Sequence, residues 1–348
     1  MSLRSIAANL GLSVTTVSRA LADYADVAEE TRRRVKAEAE RIGYVPNATA
    51  RRLQKGRADA IGVAAPSGFG AFEDSHLSSG FVGAWTRLTE FDQDLVLLPT
   101  DEGRAGISGT GPPLTPFRRA IEERRVDGML IMRPRRDDPR IEPMLRAGLP
   151  FVLLDADPDR RPELPAIGSD ASEAARLICE RLTGLGHDRF VAIGPEEDFE
   201  FSEARFEGLA TQAVRHGLDF TPVRAPIGES GGRHATERVL ERRHHPPPPL
   251  VYLTNRMTVG GLTALAHTPW VIGRHVSVIG FGDSPALRHG LPATTVMQSP
   301  IFEMARHAID ALMAMREGRR FELVRRWTPT LELRRSDAPP DGPHRDER

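Results

Sequence analysis

Apolar residues recur at helical spacing through the first forty positions. Ile6, Ala7 and Leu10 mark one face of a short helix, and Val17 and Leu21 mark another, on either side of Gly11-Leu12-Ser13. Gly11 can take the left-handed conformation that ends the first helix, and the Ser13 hydroxyl can cap the second. Two short helices joined by so tight a turn have helix-turn-helix spacing. A third amphipathic helix is predicted from about Glu29 to Ile42, with Val35, Ala39 and Ile42 inward, Thr31-Arg32-Arg33-Arg34 outside, and a stop at Gly43. After Tyr44-Val45-Pro46, Asn47 is a good N-cap for a helix through Lys55, ended by Gly56 and too short to be stable alone in water.

From Ala60 the pattern changes to short apolar runs alternating with amphipathic stretches. Residues 60–66, 95–98, 128–132, 150–155, 189–194, 250–253 and 276–281 read as buried parallel strands. Helices are predicted between them, over 81–91, 117–125, 172–185 and 205–216. This alternation predicts doubly wound parallel α/β architecture in two lobes, with ligands held beyond the carboxyl ends of the strands.

Composition and charge sharpen this division. A chain of 348 residues predicts two or three domains, and its balance of 40% apolar and 27% charged residues excludes disorder of the bulk. Residues 1–57 hold eleven arginines and lysines against six acidic residues, a net +5, which leaves −6 for the rest. A basic head on an acidic body predicts an anionic partner for the head alone. No apolar run approaches the roughly 18 residues of a membrane span, and Met1-Ser2-Leu3-Arg4-Ser5 has no apolar region behind its charge, so a cytoplasmic location is expected.

In a helix-turn-helix unit the second helix enters the major groove. It would present Val14, Thr15 and Ser18 to base edges, with Arg19 a turn further on as the strongest reader, since its fork can bond guanine bidentately. Ser13, Thr16, Asn47 and Ala50 complete the candidate DNA contacts. Leu53 is an exposed leucine on a marginal basic helix, suited to wedging into a minor groove.

The runs Ile6-Ala7-Ala8-Asn9-Leu10-Gly11-Leu12-Ser13-Val14-Thr15-Thr16-Val17-Ser18-Arg19, Thr31-Arg32-Arg33-Arg34-Val35 and Gly43-Tyr44-Val45-Pro46-Asn47 resemble the LacI/GalR family of bacterial transcription regulators. Weaker phrases such as Asp127-Gly128-Met129-Leu130, Leu185-Gly186-His187-Asp188-Arg189 and Val278-Ile279-Gly280-Phe281 extend the resemblance through the body. The resemblance implies a headpiece over 1–57 with a hinge helix at about 47–55, and a periplasmic-binding-protein-like core over 58–335. It implies one lobe of 58–158 and 285–316, another of 159–284 and 317–335, and a homodimer on a palindromic DNA operator. By position, Val14, Thr15 and Arg19 match the family's base readers and Leu53 its hinge wedge. Ala28 stands where the family usually has a capping serine, a loss of about 1 kcal/mol.

The family's effector cleft corresponds here to Asp155, at a strand end, and Arg205; a carboxylate and a guanidinium fork can bond adjacent sugar hydroxyls. Ser67, Phe69, Phe72 and Phe201 are further candidates, the phenylalanines read as loop residues able to stack on a sugar ring. Thr254 and Asp283 are candidates that depart from the family pattern: Thr254 stands where asparagine is frequent, and Gly282 occupies the usual aspartate position ahead of Asp283. A carbohydrate effector and a repressor role are therefore expected, the alternatives being an activator or a non-sugar metabolite.

Other features predict no further chemistry. No cofactor is expected, and no enzyme activity, since no phosphate loop or nucleophile elbow is present. The single Cys179 excludes an intrachain disulfide and a cysteine metal cluster, and its helical setting predicts an inert thiol. His244-His245 beside four prolines lacks metal-pair spacing. Gly103 to Gly111 reads as a surface loop, Asp137-Asp138 as a solvated turn, and 336–348 as a disordered tail.

Overall fold

In the computed structural model the described residues are 2–44, 56–66, 73–100, 115–241, 247–323 and 325–340. They fall into two units, Met1–Ala58 and Asp59–Arg348. The candidates Asn47, Ala50, Leu53, Ser67, Phe69 and Phe72, together with Gly103 to Gly111 and His244-His245, lie outside the described residues.

The first unit contains α1 (Leu3–Leu10), α2 (Val14–Leu21) and α3 (Glu29–Arg41). Its boundaries follow from the capping residues. Gly11 ends α1 at φ 65°, and the Ser13 hydroxyl accepts a bond from the Thr16 amide to begin α2. Ala28 makes no side-chain cap to α3, but Glu29 and Glu30 place negative charge in its first turn, where the helix dipole favours it. Ile6, Val17, Ala20, Val35 and Ala39 form the buried core of this small bundle.

The second unit is built on two six-stranded sheets. The first contains β1 (Ala60–Pro66), β2 (Asp94–Thr100), β3 (Gly128–Met132), β4 (Phe151–Leu154), β5 (Ala166–Ser169) and β11 (Arg326–Trp327), in the order β11-β5-β4-β3-β1-β2. The second contains β6 (Arg189–Pro195), β7 (Asp219–Ala225), β8 (Leu250–Tyr252), β9 (Val278–Phe281), β10 (Thr295–Gln298) and β12 (Thr330–Glu332), in the order β12-β10-β9-β8-β6-β7. All pairings are parallel except β10 with β12. Without β11 and β12, the five strands of each lobe repeat one doubly wound order, so each sheet reverses direction of winding beside its first strand and opens a crevice there.

Helices cover the sheets on both faces: α4 (Ser75–Glu90), α5 (Thr115–Glu122), α6 (Ile141–Ala147) and α12 (Ile301–Arg316) on the first, and α7 (Ala171–Gly184), α8 (Glu200–His216), α9 (Glu229–Glu241) and α10 (Asn255–Leu265) on the second, with α11 (Pro285–His289) a short turn ahead of β10. Close helix contacts require glycine: a Cβ on Gly83 of α4 would stand 2.3 Å from the Phe302 carbonyl oxygen of α12, and one on Gly260 of α10 would stand 1.9 Å from the Glu229 carbonyl oxygen of α9.

The chain passes between lobes later than the family pattern implied. β5 still belongs to the first sheet, so the first crossing falls at Asp170 and not at 158. β10 belongs to the second sheet, which moves the return from 285 to Ser299, and β11 belongs to the first, which moves the last crossing from 317 to about 328. The strands responsible are two to four residues long, too short for a hydrophobic period to register.

The tail from 336 is also corrected. Ser336 and Asp337 are buried; the Ser336 hydroxyl donates to the Val278 carbonyl at 2.6 Å and accepts from the Thr295 amide at 2.8 Å, and Arg181 donates to Asp337 at 2.6 Å. These bonds fix residues 336–338 along the second sheet, while 341–348 lie outside the described residues. Asp138, expected in a solvated turn, is buried against Arg140, which donates to it through Nε at 2.8 Å and Nη2 at 2.5 Å. A buried charged pair is tolerated when hydrogen bonds replace most of its water, and here the Asp138 carboxylate also accepts from the Arg135 and Arg140 amides, both at 3.0 Å.

Candidate functional site

Helix α2 presents Val14, Thr15, Ser18 and Arg19 away from the bundle core, with Val14 and Thr15 exposed and Ser18 half-buried. Ser13 and Thr16 serve the helix itself, their hydroxyls lying 2.8 Å apart at its amino end. Arg19 reaches Asp26, its Nε donating at 3.3 Å and its Nη2 also bonding the carboxylate. This face joins an arginine fork to small polar and apolar side chains at the start of one helix, the set that a major groove can accept.

The second candidate site lies between the two lobes, at the carboxyl ends of their strands. From the first lobe come His76, in the first turn of α4, Arg133, directly after β3, and Asp155, directly after β4. From the second come Arg205 of α8, Thr254 and Asn255 at the start of α10, and Phe281 and Gly282 at the end of β9, with Ser299 at the crossing. Arg133 at φ 49° and Asp155 at φ 62° are both left-handed. Two non-glycine residues in that sparsely populated region, each ending a strand, turn the chain so that both side chains line one cavity.

The cavity is held together by charge. Arg205 Nη2 lies 3.8 Å from Asp155 Oδ1 across the lobes, while Nη1 donates to the Leu253 carbonyl at 2.7 Å. Its guanidinium is sandwiched by Phe201 and Phe281, 4.7 and 4.6 Å from the ring centroids. On the other side, His76 Nε2 is 3.2 Å from Asp155 Oδ2, and Arg133 donates to Asp74 at 2.7 Å. Burial by itself raises the Asp155 carboxyl, but His76, Arg205 and Arg133 more than reverse this and hold it well below the usual carboxylate range. Burial lowers the Arg205 guanidinium to about 10, against the pull of Asp155, so it stays charged at neutral pH. Arg133 Nε is buried with no hydrogen-bond partner among the described residues. The volume left is about 10 Å3, room for one water and far below the roughly 300 Å3 of a small-molecule pocket.

Of the residues expected here, Asp155, Arg205 and Thr254 meet at the cavity. Thr254 also caps α10, accepting from the Met257 amide at 3.2 Å. Asp283 does not line it: its carboxylate is taken by Arg334 at 2.7 and 2.9 Å, Arg288 at 2.7 and 3.0 Å and Gln298 at 3.1 Å, and Gly282 faces the space instead. Phe201 is a buried residue of α8 beneath Arg133 and Arg205 and not a loop residue, because α8 begins five positions earlier than its apolar period suggests, through the acidic first turn of Glu200 and Glu203. Arg133 could have been selected by the strand-end rule that selects Asp155. His76 had no local signal.

Elsewhere, Cys179 is buried and free, its thiol pushed up to about 12 by burial. Among the described residues no group of histidine, cysteine and carboxylate side chains could hold a metal ion, and no helix is long and apolar enough to cross a membrane.

Comparison with known proteins places both units. Residues 2–47 match the model of bacterial regulatory proteins of the lacI family, and 179–336 match the periplasmic binding protein-like domain. The HTH-type transcriptional regulator RafR of Escherichia coli is 35% identical over 271 residues, covering 76% of each chain. A crystal structure of the Lac repressor dimer bound to operator and the anti-inducer ONPF superposes with a TM-score of 0.82 at 20% identity, covering 97% of this chain and 99% of that one. A complex of the transcriptional regulator CelR with cellobiose gives 0.68 at 23% identity, with the same coverage. These relatives are regulators and not enzymes, and the identity and coverage are sufficient to conclude that this chain belongs to the lacI family of bacterial regulatory proteins, DNA-binding regulators of transcription.

Proposed function

We propose that the chain is a repressor that binds a palindromic operator as a homodimer and is controlled by a carbohydrate held between its lobes. The observation that carries this reading is the Asp155–Arg205 contact, a carboxylate and a guanidinium from opposite lobes meeting over a cavity too small for any sugar. A ligand can enter only if the lobes or these side chains part, so binding energy is spent on lobe geometry. Sugar hydroxyls both donate and accept, and can give Asp155 a donor and Arg205 an acceptor without stranding either charge. Thr254 supplies one more hydroxyl and Arg133 an unpartnered N–H. The cellobiose complex of CelR supports a disaccharide, for which Gly282 in place of a longer side chain leaves room.

Within this reading residues 1–57 carry DNA recognition through Val14, Thr15, Ser18 and Arg19, and the core carries effector binding and dimerisation. A headpiece of this size covers one half-site, so tight binding needs two chains related by a two-fold axis. Trp85 and Val82 of α4 are 59% and 46% exposed, large apolar side chains suited to a subunit interface, and the Lac repressor neighbour is itself a dimer.

Calorimetric titration of the full chain with glucose, galactose, cellobiose and other disaccharides, paired with operator binding measured at saturation, tests the reading. A disaccharide that binds and weakens operator affinity supports it. Tighter operator binding with the sugar makes the chain a co-repressor-dependent or activating member. Absence of binding by every sugar ends the carbohydrate assignment and leaves the DNA-binding one standing. Sedimentation of the wild type and Trp85→Asp tests the dimer: a wild-type monomer at operator-saturating concentration contradicts it.

A further inference from the structure

Asp26 stands beside the residue expected to read a base. Arg19 ends its side chain against this carboxylate through Nε, at 3.3 Å, and Nη2, the two nitrogens on one edge of the guanidinium. Its planar face lies over Tyr24, with 4.8 Å between Cζ and the ring centroid. The backbone fixes the loop that delivers both partners: the Tyr24 amide donates to the Arg19 carbonyl at 3.1 Å, the Val27 amide donates to the Tyr24 carbonyl at 3.2 Å, and Val27 is buried in the core. The two side chains of the ion pair stay 41% and 57% exposed. A pair so exposed adds little to folding stability.

We propose that Asp26 is a positioning residue for base recognition. It holds Arg19 by the Nε–Nη2 edge, which leaves the Nη1–Nη2 end of the fork for the paired acceptors of a guanine. This deepens, and rests on, the reading of Arg19 as a base reader. An arginine already confined by a carboxylate and an aromatic face loses less rotamer freedom when it meets a base. On DNA without the right base, the same arginine must leave Asp26 to reach a phosphate, and the Asp26 charge opposes the approach of the backbone. Asp26 therefore raises discrimination more than affinity.

The test uses the full chain, an operator recovered by selection from a randomised duplex library, and a scrambled duplex of equal length. Binding of wild type, Asp26→Asn, Arg19→Ala and the double variant is measured by fluorescence anisotropy at two salt concentrations. Asp26→Asn keeps the shape of the side chain and removes its charge. It should raise affinity for the scrambled duplex about two- to fivefold, the range of one exposed ion pair, while operator affinity stays level or falls. The operator-to-scrambled ratio then drops, and in the Arg19→Ala background the same substitution leaves the ratio unchanged. An unchanged ratio in the wild-type background overturns the proposal. So does an equal drop in the Arg19→Ala background, or a parallel loss on both duplexes with a lowered melting temperature, which marks a structural role. If Arg19→Ala alone leaves discrimination intact, the base-reading assignment fails and the Asp26 role with it; if only the Asp26→Asn arm fails, base reading by Arg19 survives.

Discussion

The headpiece and the interlobe cleft each place an arginine beside an aspartate, and the two pairs differ in opposite ways. Arg19 and Asp26 are seven residues apart, closely bonded and about half exposed. Arg205 and Asp155 come from different lobes, are separated by 3.8 Å and are buried. Separation alone would make the first pair the stronger, but burial decides otherwise. Water screens the surface pair, so it adds little to stability and leaves the Nη1–Nη2 end of Arg19 open to DNA while Asp26 holds the other edge. The cleft pair has lost its hydration, and each partner depends on the few groups around it. A regulator needs both kinds: a hydrated, accessible fork where it reads DNA, and a poorly hydrated one where a ligand must matter.

The sharpest contrast uses a third pair with no access to the cavity. Asp138 and Arg140 are buried and bonded through Nε and Nη2. Asp138→Ala should cost about 3–5 kcal/mol in chemical denaturation, because it leaves the guanidinium buried without its carboxylate. Arg205→Ala should cost about 3 kcal/mol by the same measurement, the longer contact placing it at the low end. Unlike Asp138→Ala it should also abolish the operator's response to effector while leaving operator affinity within about 1 kcal/mol. A normal response in Arg205→Ala would remove the residue from the effector site.

On the headpiece the expected loss is smaller and lies in binding. Arg19→Ala should weaken operator binding by about 1–3 kcal/mol and random-duplex binding by less, with the melting temperature unchanged. Equal losses on both duplexes would make Arg19 a phosphate contact.

The smallest effect expected is on pH dependence. Burial lowers His187 and His307 below the ordinary value of 6.5, so the folded chain favours their neutral forms. Below pH 6.5 the unfolded chain therefore binds more protons than the folded one, and stability falls as pH drops through the folded-state values; above 6.5 this contribution is fully present. Melting scans between pH 7.5 and 5.5 should show the decline, and His187→Gln should flatten part of it.

The limits of sequence reading follow the same physics. The helix-turn-helix boundaries were legible because caps are local: Gly11, Ser13 and the missing cap at Ala28 act within a turn of their own helices. Asp155 was legible because the family resemblance places a cleft residue there and an apolar strand leads directly into it. Asp283 misled because it stands one position past Gly282, which faces the cleft, and its carboxylate is taken by Arg288 of the next turn and by the more distant Gln298 and Arg334. His76 was invisible because nothing within a turn of it reports the strand end it faces.

The sequence by itself therefore determined the three headpiece helices, four core helices and the long strands other than β7, which end of the chain is basic, and which family supplies the architecture, since periodicity, capping and net charge are properties of neighbouring residues. Tertiary structure alone decided that β5, β10 and β11 pair where they do, that Ser336 and Asp337 are buried, and that His76 and Arg133 join Asp155 and Arg205 at one cavity. Those outcomes depend on desolvation and on partners distant in sequence, and a carboxylate's neighbours in the chain do not say which cation will replace its water.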